Sequence, residues 1–413
     1  MTTSAYYSGP KILQRLHEGP LGVHIDIYAA KLLKEGHCQQ SAWRSLRVVC
    51  DFSHWLARKR LDLHDLDEQT VKQYERFRLR YRCPFVSDHS ALQRLLTVLR
   101  ENDAIAPRPT VVLSQLDQIV EDFDRYLSLQ CGLARVTITR HIPVVRRFLH
   151  ERCAGGSAQV SRMTAADVVR FVERHAGDHS PRSAQSMCWS LRAFTRYLQY
   201  QGYIATDLAS SVPSVKQWRL ASLPTYLLPQ QVQKILDSCD RSSPMGMRDY
   251  AILLLLARLG LRASEIAKLT LDDIDWQLGQ LTTRGKGRRQ DQLPLPAEVG
   301  AAIADYLRRG RPRSESRRVF IRVAAPHIGF ASSSNVSMIA KMALVRGGID
   351  GVAHKGAHLF RHSLATQLLR AGASLTEIGQ LLRHQQHDTT RIYAKVDIST
   401  LRSIALKWPG GAS

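Results

Sequence analysis

The chain has 413 residues, too many for one ordinary domain, so its length predicts two or three domains that each bury a core. Lysine and arginine number 58 against 36 aspartate and glutamate, and the net charge of +22 favours a polyanionic partner, nucleic acid before a membrane surface. The longest apolar run, AILLLLA at 251–257, is far shorter than the roughly 20 residues of a bilayer span, and MTTSAYYSGP lacks a signal peptide's apolar core. Composition therefore argues against a disordered chain and against a membrane protein.

The cysteines give no sign of a disulfide framework. Seven stand at 38, 50, 83, 131, 153, 188 and 239, an odd number without a CxxC pair. This pattern fits neither a set of disulfides nor a zinc knuckle. We expect reduced, mostly buried thiols in a cytoplasmic protein.

The first half of the chain carries a weak internal repeat. GHCQQSAWRSLRVVCDFSHWL at 36–56 aligns with GLARVTITRHIPVVRRFLHER at 132–152, an offset of 96 that pairs Gly36 with Gly132 and Ser41 with Thr137. In each copy we expect the Ser or Thr to open an amphipathic helix with arginines on one face. The repeat predicts two helical modules, residues 1–105 and 112–210, although a chance likeness between amphipathic helices is the alternative.

The composition changes after the second module. Prolines and serines dominate LASSVPSVKQWRLASLPTYL at 208–227, so we predict an interdomain linker at 211–226. In residues 227–413 the pattern predicts a helix after a proline, a buried helix, a tight turn at Gly260 and a second helix opening near Ala263. QLTTRGKGRRQDQLPLP at 280–296 alternates as a β-hairpin does. The fold class is therefore mainly α with a small β-sheet.

Four segments of this half carry candidate chemistry, and each is ambiguous by itself. GLRASEIAKL places Arg262 at a helix start with Glu265 one turn later, and RGKGRRQ reads equally well as an ordinary hairpin turn. In HLFRH, His358 and His362 have the i, i+4 spacing of a zinc-protease helix, but the glutamate that serves as base in such enzymes is absent. LLRHQQHDTTRIYAKV offers His384, followed by Asp388 and Thr389 as helix caps before Tyr393.

The order and spacing of these residues are more specific than any one motif. Seven polar residues follow one another in the sequence, the last two nine positions apart: Arg262, Glu265, Lys286, His358, Arg361, His384 and Tyr393. With GLRASEI, GKGRRQDQLPL, HLFRHSLAT and LLRHQQHDTTRIY, the chain resembles the tyrosine recombinases, the family of phage integrases and of bacterial chromosome-dimer and transposon recombinases. The resemblance covers residues of about 112–407 in domain order and is dense at 250–396. One departure is Arg383, which stands where family members usually have glycine.

The resemblance implies a role for each matching residue. Tyr393 would attack a DNA phosphodiester and form a 3′-phosphotyrosyl link that needs no ATP. Arg262 and Arg361 would hold the non-bridging oxygens of the transition state, because guanidinium groups bind them bidentately. Lys286 would protonate the 5′-oxygen leaving group, and two histidines would donate hydrogen bonds or assist proton transfer. The remaining assignments are these: His358 and His384 as those histidines, Glu265 as an orienting group, and His362 as structural. No metal and no cofactor are expected.

The resemblance also implies the partners. Double-stranded DNA with specific core sites would lie between a helical core-binding domain, 112–210, and the catalytic domain, 227–413. The residues expected to contact phosphates are Arg140, Arg146, Arg147, Arg182, Arg192 and Arg196 on the first, and Arg288 and Arg289 within the basic stretch 284–322 on the second. The family acts as a homo-tetramer on synapsed DNA, exchanging a C-terminal segment for which 397–408 is the candidate here. Sister recombinases or accessory factors are further candidate partners, and residues 1–105 read as an arm-type DNA reader or an assembly surface.

Three other functions remain open from the sequence. A monomeric type IB topoisomerase-like enzyme would nick and reseal one duplex with the same chemistry. A DNA-binding regulator could keep the fold without turnover, although the complete set of seven residues argues against it. A metal-dependent nuclease would use the histidines and would be inhibited by a chelator. Integration or excision of a mobile element, transposition, inversion and dimer resolution are not distinguished.

Overall fold

The computed structural model describes residues 2–81, 85–108, 113–153, 160–215, 225–285, 290–352, 355–384, 390 and 392–393. The chain divides into two compact units, one of residues 1–108 together with 222–413 and the other of residues 109–221. Among the described residues, no helix combines the length and the apolar character needed to cross a bilayer.

Residues 1–108 form a helical module with its own core. Its helices are α1 (Pro10–Leu16), α2 (Ile25–Lys34), α3 (Gln39–Lys59), α4 (Glu68–Leu79) and α5 (Val86–Glu101). The core is formed by one face of the long helix α3, where Phe52 and Trp55 are buried against Tyr74 of α4. Burial of such large rings contributes on the order of 2–3 kcal/mol each, which lets a module of this size hold together.

This module packs against the C-terminal part of the same unit, residues from 227 onward, which the sequence predicts to be the catalytic part. The main-chain N–H of His327 donates to the carbonyl of Glu35 at 3.2 Å. Gly36 follows with φ of +80°, and a Cβ there would lie 2.2 Å from Cδ2 of His327. Glycine is required at this position for two reasons, the left-handed backbone and the close approach of the imidazole.

The described residues of the second unit form a four-helix module of similar build. It contains α6 (Gln115–Leu129), α7 (Arg135–Arg152), α8 (Ala165–Ala176) and α9 (Pro181–Tyr200). Its core includes Phe123, Phe148 and Phe194, all buried. Among the aromatic residues of α9, Phe194 and Tyr197 are buried in this core, whereas Trp189 and Tyr200 are exposed.

Helices α3 and α7 correspond to each other in the two copies of the internal repeat. Gly36 and Gly132 both have positive φ, +80° and +62°, immediately before their helices. The predicted Ser and Thr caps are wrong, because the N-cap residues are Cys38 and Ala134 and neither side chain caps its helix. A capping side chain contributes only about 1 kcal/mol, which the packing of a long amphipathic helix readily outweighs.

The catalytic part surrounds a helix whose central residues are all apolar. Its helices are α10 (Pro229–Asp237), α11 (Pro244–Arg258), α12 (Ala263–Lys268), α13 (Ala297–Asp305), α14 (Ser334–Arg346), α15 (Ala357–Arg370) and α16 (Leu375–Leu381). Every residue from Ile252 to Leu256 in α11 is 0% exposed, as expected for a stretch of helix that is apolar all round. The predicted buried helix is confirmed, and so is the predicted helix start at Ala263.

A three-stranded antiparallel sheet lies beside these helices. It consists of β1 (Ile274–Asp275), β2 (Gln280–Arg284) and β3 (Gln290–Pro294) in the order β1-β2-β3, with Leu281 paired to Leu293. The predicted hairpin at 280–296 is therefore confirmed, and so is the mainly α fold with a small sheet.

Candidate active site

A tight turn between α11 and α12 positions the first pair of polar residues. Gly260 has φ of +56°, and a Cβ there would approach Cδ2 of Leu382 to 2.8 Å. The chain then enters α12 at Arg262, the N-cap residue, whose main-chain N–H donates to Glu265 Oε2 at 2.9 Å. The Arg262 guanidinium donates through Nη1 to Oε1 of the same carboxylate at 2.7 Å. Glu265 is 1% exposed in its side chain, so it holds Arg262 from a buried position.

Arg361, near the start of α15, contacts the turn at Gly260. Its Nη1 donates to the Gly260 carbonyl at 2.5 Å, and its Nη2 donates to the Leu382 carbonyl after α16. The residue is 4% exposed. Burial, followed by the charges of Arg262 and Arg383, lowers the pKa of Arg361 to about 10, which leaves it charged at neutral pH. Two guanidinium groups thus lie close together, as the binding of a phosphate group requires.

His384 and Tyr393 form the other wall of the site. Their rings lie nearly parallel, with an interplanar angle of 9° and centroids 6.4 Å apart. His384 Nδ1 is 2.7 Å from Thr390 Oγ1. Burial and the neighbouring charges of Arg361 and Arg262 lower the pKa of His384 to about 4, so its ring is neutral at pH 7.

Tyr393 is the most sheltered residue of the group, at 1% exposed. Burial raises the pKa of Tyr393 to about 12, and the Arg361 charge opposes this only in part. The phenol is therefore protonated at neutral pH. Its hydroxyl is 2.9 Å from Nδ1 of His362, with which it shares a hydrogen bond.

Comparisons with known proteins bear on this arrangement. A family model described as "Phage integrase family" matches residues 225–399, and one described as "Phage integrase, N-terminal SAM-like domain" matches residues 120–202. The y4rA protein of Sinorhizobium fredii, named as an integrase/recombinase, is 44% identical over 97% of this chain and 97% of its own length. The chain belongs to the phage integrase family. The tyrosine recombinase XerD of Listeria innocua, 30% identical over 70% of this chain and 97% of its own length, is a further relative.

Solved tyrosine recombinases share the fold. XerH bound to a palindromic difH substrate matches with a TM-score of 0.55 and 18% identity, covering 70% of this chain and 83% of that one. A lambda integrase dimer bound to a core site matches with a TM-score of 0.51 and 17% identity over 67% and 94% of the two chains. The sequence-based assignment to the tyrosine recombinases is confirmed, and the family carries the class of activity, site-specific DNA recombination.

Within this family member, the structure brings most of the predicted catalytic residues together. The Arg262–Glu265 pair, Arg361, His384 and Tyr393 converge around the Gly260 turn and the end of α16. His358 lies exposed in the first turn of α15, with its ring centroid 6.3 Å from that of His362. Lys286, Arg288, Arg289 and the expected caps Asp388 and Thr389 lie outside the described residues, as does the segment 397–408.

Two residues at the site were not expected to contribute to it. His362 was interpreted as structural, yet it holds the hydroxyl of the expected nucleophile. Arg383 was noted only as a departure from glycine, yet its guanidinium donates through Nη2 to Glu265 Oε2 at 2.9 Å. The spacing of His358 and His362 on one helix face was the sequence signal for the first, whereas no sequence signal indicated that the Arg383 side chain points inward.

Several arginines of the second unit that were expected to contact DNA already have partners within the protein. Arg140 is exposed, Arg146 lies 3.7 Å from Asp117, and Arg147 pairs with Glu151 at 3.0 Å. Arg192 is half-buried and donates to the carbonyls of residues 212 and 213 and to the hydroxyl of residue 214, each at 2.9 Å, so it holds the end of this unit. Their contacts with DNA stay predictions.

The basic stretch at 284–322 is also partly engaged within the protein. Arg284 pairs with Asp273 at 3.0 Å, Arg317 pairs with Asp272, and Arg311 donates to three main-chain carbonyls. The two ion pairs reduce the positive charge that the stretch presents to a ligand, and the carbonyl contacts hold Arg311 within the fold. Among the described residues, no group of three or more His, Cys, Asp or Glu side chains is placed to hold a metal ion.

Proposed function

We propose that this protein is a site-specific DNA recombinase whose nucleophile is Tyr393 and which integrates, excises or transposes a mobile element. The observation that carries the proposal is the packing of the Tyr393 ring beside His384 and within the electrostatic reach of Arg361. A phenol near the Arg361 guanidinium, which itself neighbours Arg262, suits attack on a phosphodiester better than it suits a purely structural role.

The proposed reaction is an exchange of phosphoesters. The Tyr393 phenol gives its proton to the His362 ring nitrogen that shares its hydrogen bond, and the phenol oxygen bonds to the scissile phosphorus. The bond to the 5′-oxygen breaks, and Lys286 supplies the proton that this leaving oxygen takes. Arg262 and Arg361 bind the non-bridging oxygens as their negative charge increases. Attack by the 5′-hydroxyl of the partner duplex then reverses the step, releases Tyr393 and produces a Holliday junction after one exchange.

The proposed nucleophile is unreactive in the protein without DNA. Tyr393 is 1% exposed and its pKa is about 12, so in the absence of DNA the nucleophile is both covered and protonated. Neutral His384 has one ring nitrogen beside Thr390 and a second nitrogen with which to donate or accept a proton. Reaction therefore requires DNA binding to bring a phosphate and the phenol together.

The relatives support the proposed cellular setting. The y4rA protein is named as an integrase/recombinase and the XerD relative as a tyrosine recombinase, which supports recombination of bacterial DNA in the cytoplasm. We propose a homo-tetramer on two synapsed core sites, with segment 397–408 exchanged between neighbours, and sister recombinases or accessory factors as further partners.

The test is to trap the covalent intermediate. A nicked suicide duplex, carrying a core site selected from a randomised library, is incubated with the protein in EDTA and resolved on a denaturing gel. Wild type and Tyr200→Phe, a control at an exposed tyrosine of α9 (69% exposed), should both form the adduct. Tyr393→Phe should form none while retaining DNA affinity, because it removes one oxygen and almost no volume.

Three results would count against the proposal. An adduct with Tyr393→Phe would show that another residue attacks, and loss of the wild-type adduct in EDTA would favour a metal-dependent nuclease. Relaxation of one supercoiled plasmid without exchange between two marked duplexes would favour the topoisomerase-like alternative.

A further inference from the structure

Arg383 occupies a costly position. It follows the end of α16 with φ of +54°, a left-handed conformation that glycine adopts freely and that is unfavourable for residues with a Cβ. Its side chain is nevertheless only 7% exposed. Within the described residues, two of its three guanidinium nitrogens, Nε and Nη1, lack a hydrogen-bond partner although they are buried. A buried donor without a partner adds its desolvation penalty to that of the backbone.

The contacts of Arg383 lead to Arg262 by two routes. Its main-chain carbonyl accepts a hydrogen bond from Arg262 Nη2 at 3.0 Å. Its side-chain Nη2 donates to Glu265 Oε2 at 2.9 Å, the same oxygen that accepts from the Arg262 main chain. Glu265 therefore has two guanidinium groups on one buried carboxylate.

This sharing changes the electrostatics of the site. Arg262, Arg361 and Arg383 bring three positive charges together, and Glu265 is the buried acid that contacts two of them. Asp291 of β3 is more distant, with Oδ2 3.9 Å from Arg383 Nε. Without Arg383, the Glu265 carboxylate would accept hydrogen bonds from Arg262 alone and would neutralise more of the Arg262 charge. With Arg383 present, Arg262 keeps more of its charge for a ligand.

We propose that the Arg383 side chain is a positioning residue for Arg262, acting through Glu265 to fix the Arg262 guanidinium and preserve its charge toward the scissile phosphate. The inference rests on the proposed function, because it assigns a role to Arg262 in that reaction. It explains why a strained and incompletely satisfied arginine lies where glycine would be easier to accommodate. A purely structural role would not need the charge.

The substitution Arg383→Gly separates the two routes. Glycine suits the left-handed backbone and keeps the carbonyl that accepts from Arg262 Nη2, but it removes the contact with Glu265. Arg60→Gly is the matched control, because Arg60 has φ of +57° at the end of α3, is exposed and lies in the N-terminal module. Both substitutions relax the backbone equally, whereas only the first alters the site.

Cleavage is measured on three suicide duplexes of the same sequence. One has a normal scissile phosphate, one has a methylphosphonate, in which a methyl group replaces a charged non-bridging oxygen, and one has sulfur as the 5′-leaving atom. We expect Arg383→Gly to slow cleavage of the phosphate at least tenfold with an unchanged Kd for DNA, and to slow cleavage of the methylphosphonate less than threefold. The neutral group makes less demand on Arg262, so the loss should shrink there and persist on the sulfur substrate.

Other outcomes overturn the inference. No loss on the phosphate, an equal loss on phosphate and methylphosphonate, or an equal loss with Arg60→Gly would each show that Arg383 does not act through the charge of Arg262. A loss that disappears only on the sulfur substrate would assign the side chain to leaving-group protonation through the β2–β3 hairpin. An adduct with Tyr393→Phe on the normal phosphate would instead defeat the proposed function, and the two failures are thereby distinguished.

Discussion

Replacing Glu265 by glutamine should destabilise the catalytic part of the protein by an amount that the structure allows us to work out. The carboxylate is 1% exposed and accepts three hydrogen bonds, two from Arg262 and one from Arg383, at 2.7–2.9 Å. Removing one partner of a buried ion pair typically costs about 3–5 kcal/mol. The Arg262 side chain is 30% exposed, so water compensates in part and the lower end of about 3 kcal/mol applies.

The measurement is the melting temperature by scanning calorimetry. A unit of this size loses about 2 °C per kcal/mol, so Glu265→Gln should lower its Tm by about 6 °C. The matched control is Glu298→Gln, which breaks the pair with Arg258, where the side chains are 48% and 38% exposed. A surface pair contributes at most about 1 kcal/mol, so Tm should fall by no more than about 2 °C. Equal shifts in the two variants would refute the reasoning.

Two further predictions concern the histidines of the site. Because the pKa of His384 falls to about 4 on folding, the unfolded chain binds more protons between pH 6.5 and 4, so stability should decline as pH falls through that range. Between pH 7 and pH 5 the free energy of unfolding of the wild type should fall by about 1 kcal/mol more than that of His384→Gln, after allowance for the ring's partial exposure. Urea unfolding midpoints measured at the two pH values test this. A pH shift of the midpoint that is equal in the two proteins would contradict it. His362→Phe should leave the buried Tyr393 hydroxyl without its ring-nitrogen partner and cost about 1–3 kcal/mol. In a double-mutant cycle with Tyr393→Phe the two losses should be coupled by at least about 0.5 kcal/mol, whereas additive losses would show that the hydrogen bond contributes nothing.

The features that were predicted correctly from the sequence are each determined by residues close together in the chain. The apolar helix α11, the Gly260 turn and the alternating hairpin each follow from residues within a few positions of one another. The order of the polar motifs then identified the family, because several spacings had to agree at once. Local signals were weaker at helix ends, and the caps expected at Ser41 and Thr137 were wrong for that reason.

The features that the sequence could not indicate depend on distant contacts. The contact of His362 with the phenol joins residues 31 apart, so the i, i+4 spacing of the histidines could mark His362 as a candidate but could not identify Tyr393 as its partner. The inward direction of Arg383 depends on Glu265, 118 residues earlier. Burial of a charged side chain can be predicted only when its partner is known. From residue type alone, Arg383 would be expected in solvent.

The contact between Gly36 and His327 affects the order in which the protein can fold during synthesis. The chain must extend from residue 36 to residue 327 before the N-terminal helices have their docking surface, which takes on the order of 15–60 s at typical bacterial elongation rates. Residues 109–221 form a separate unit whose whole sequence leaves the ribosome within that interval. The N-terminal helices must therefore persist on their own core, with the face around Gly36 uncovered, while the second unit folds. During this interval that face is exposed to chaperones and proteases, and docking of the catalytic part ends the exposure.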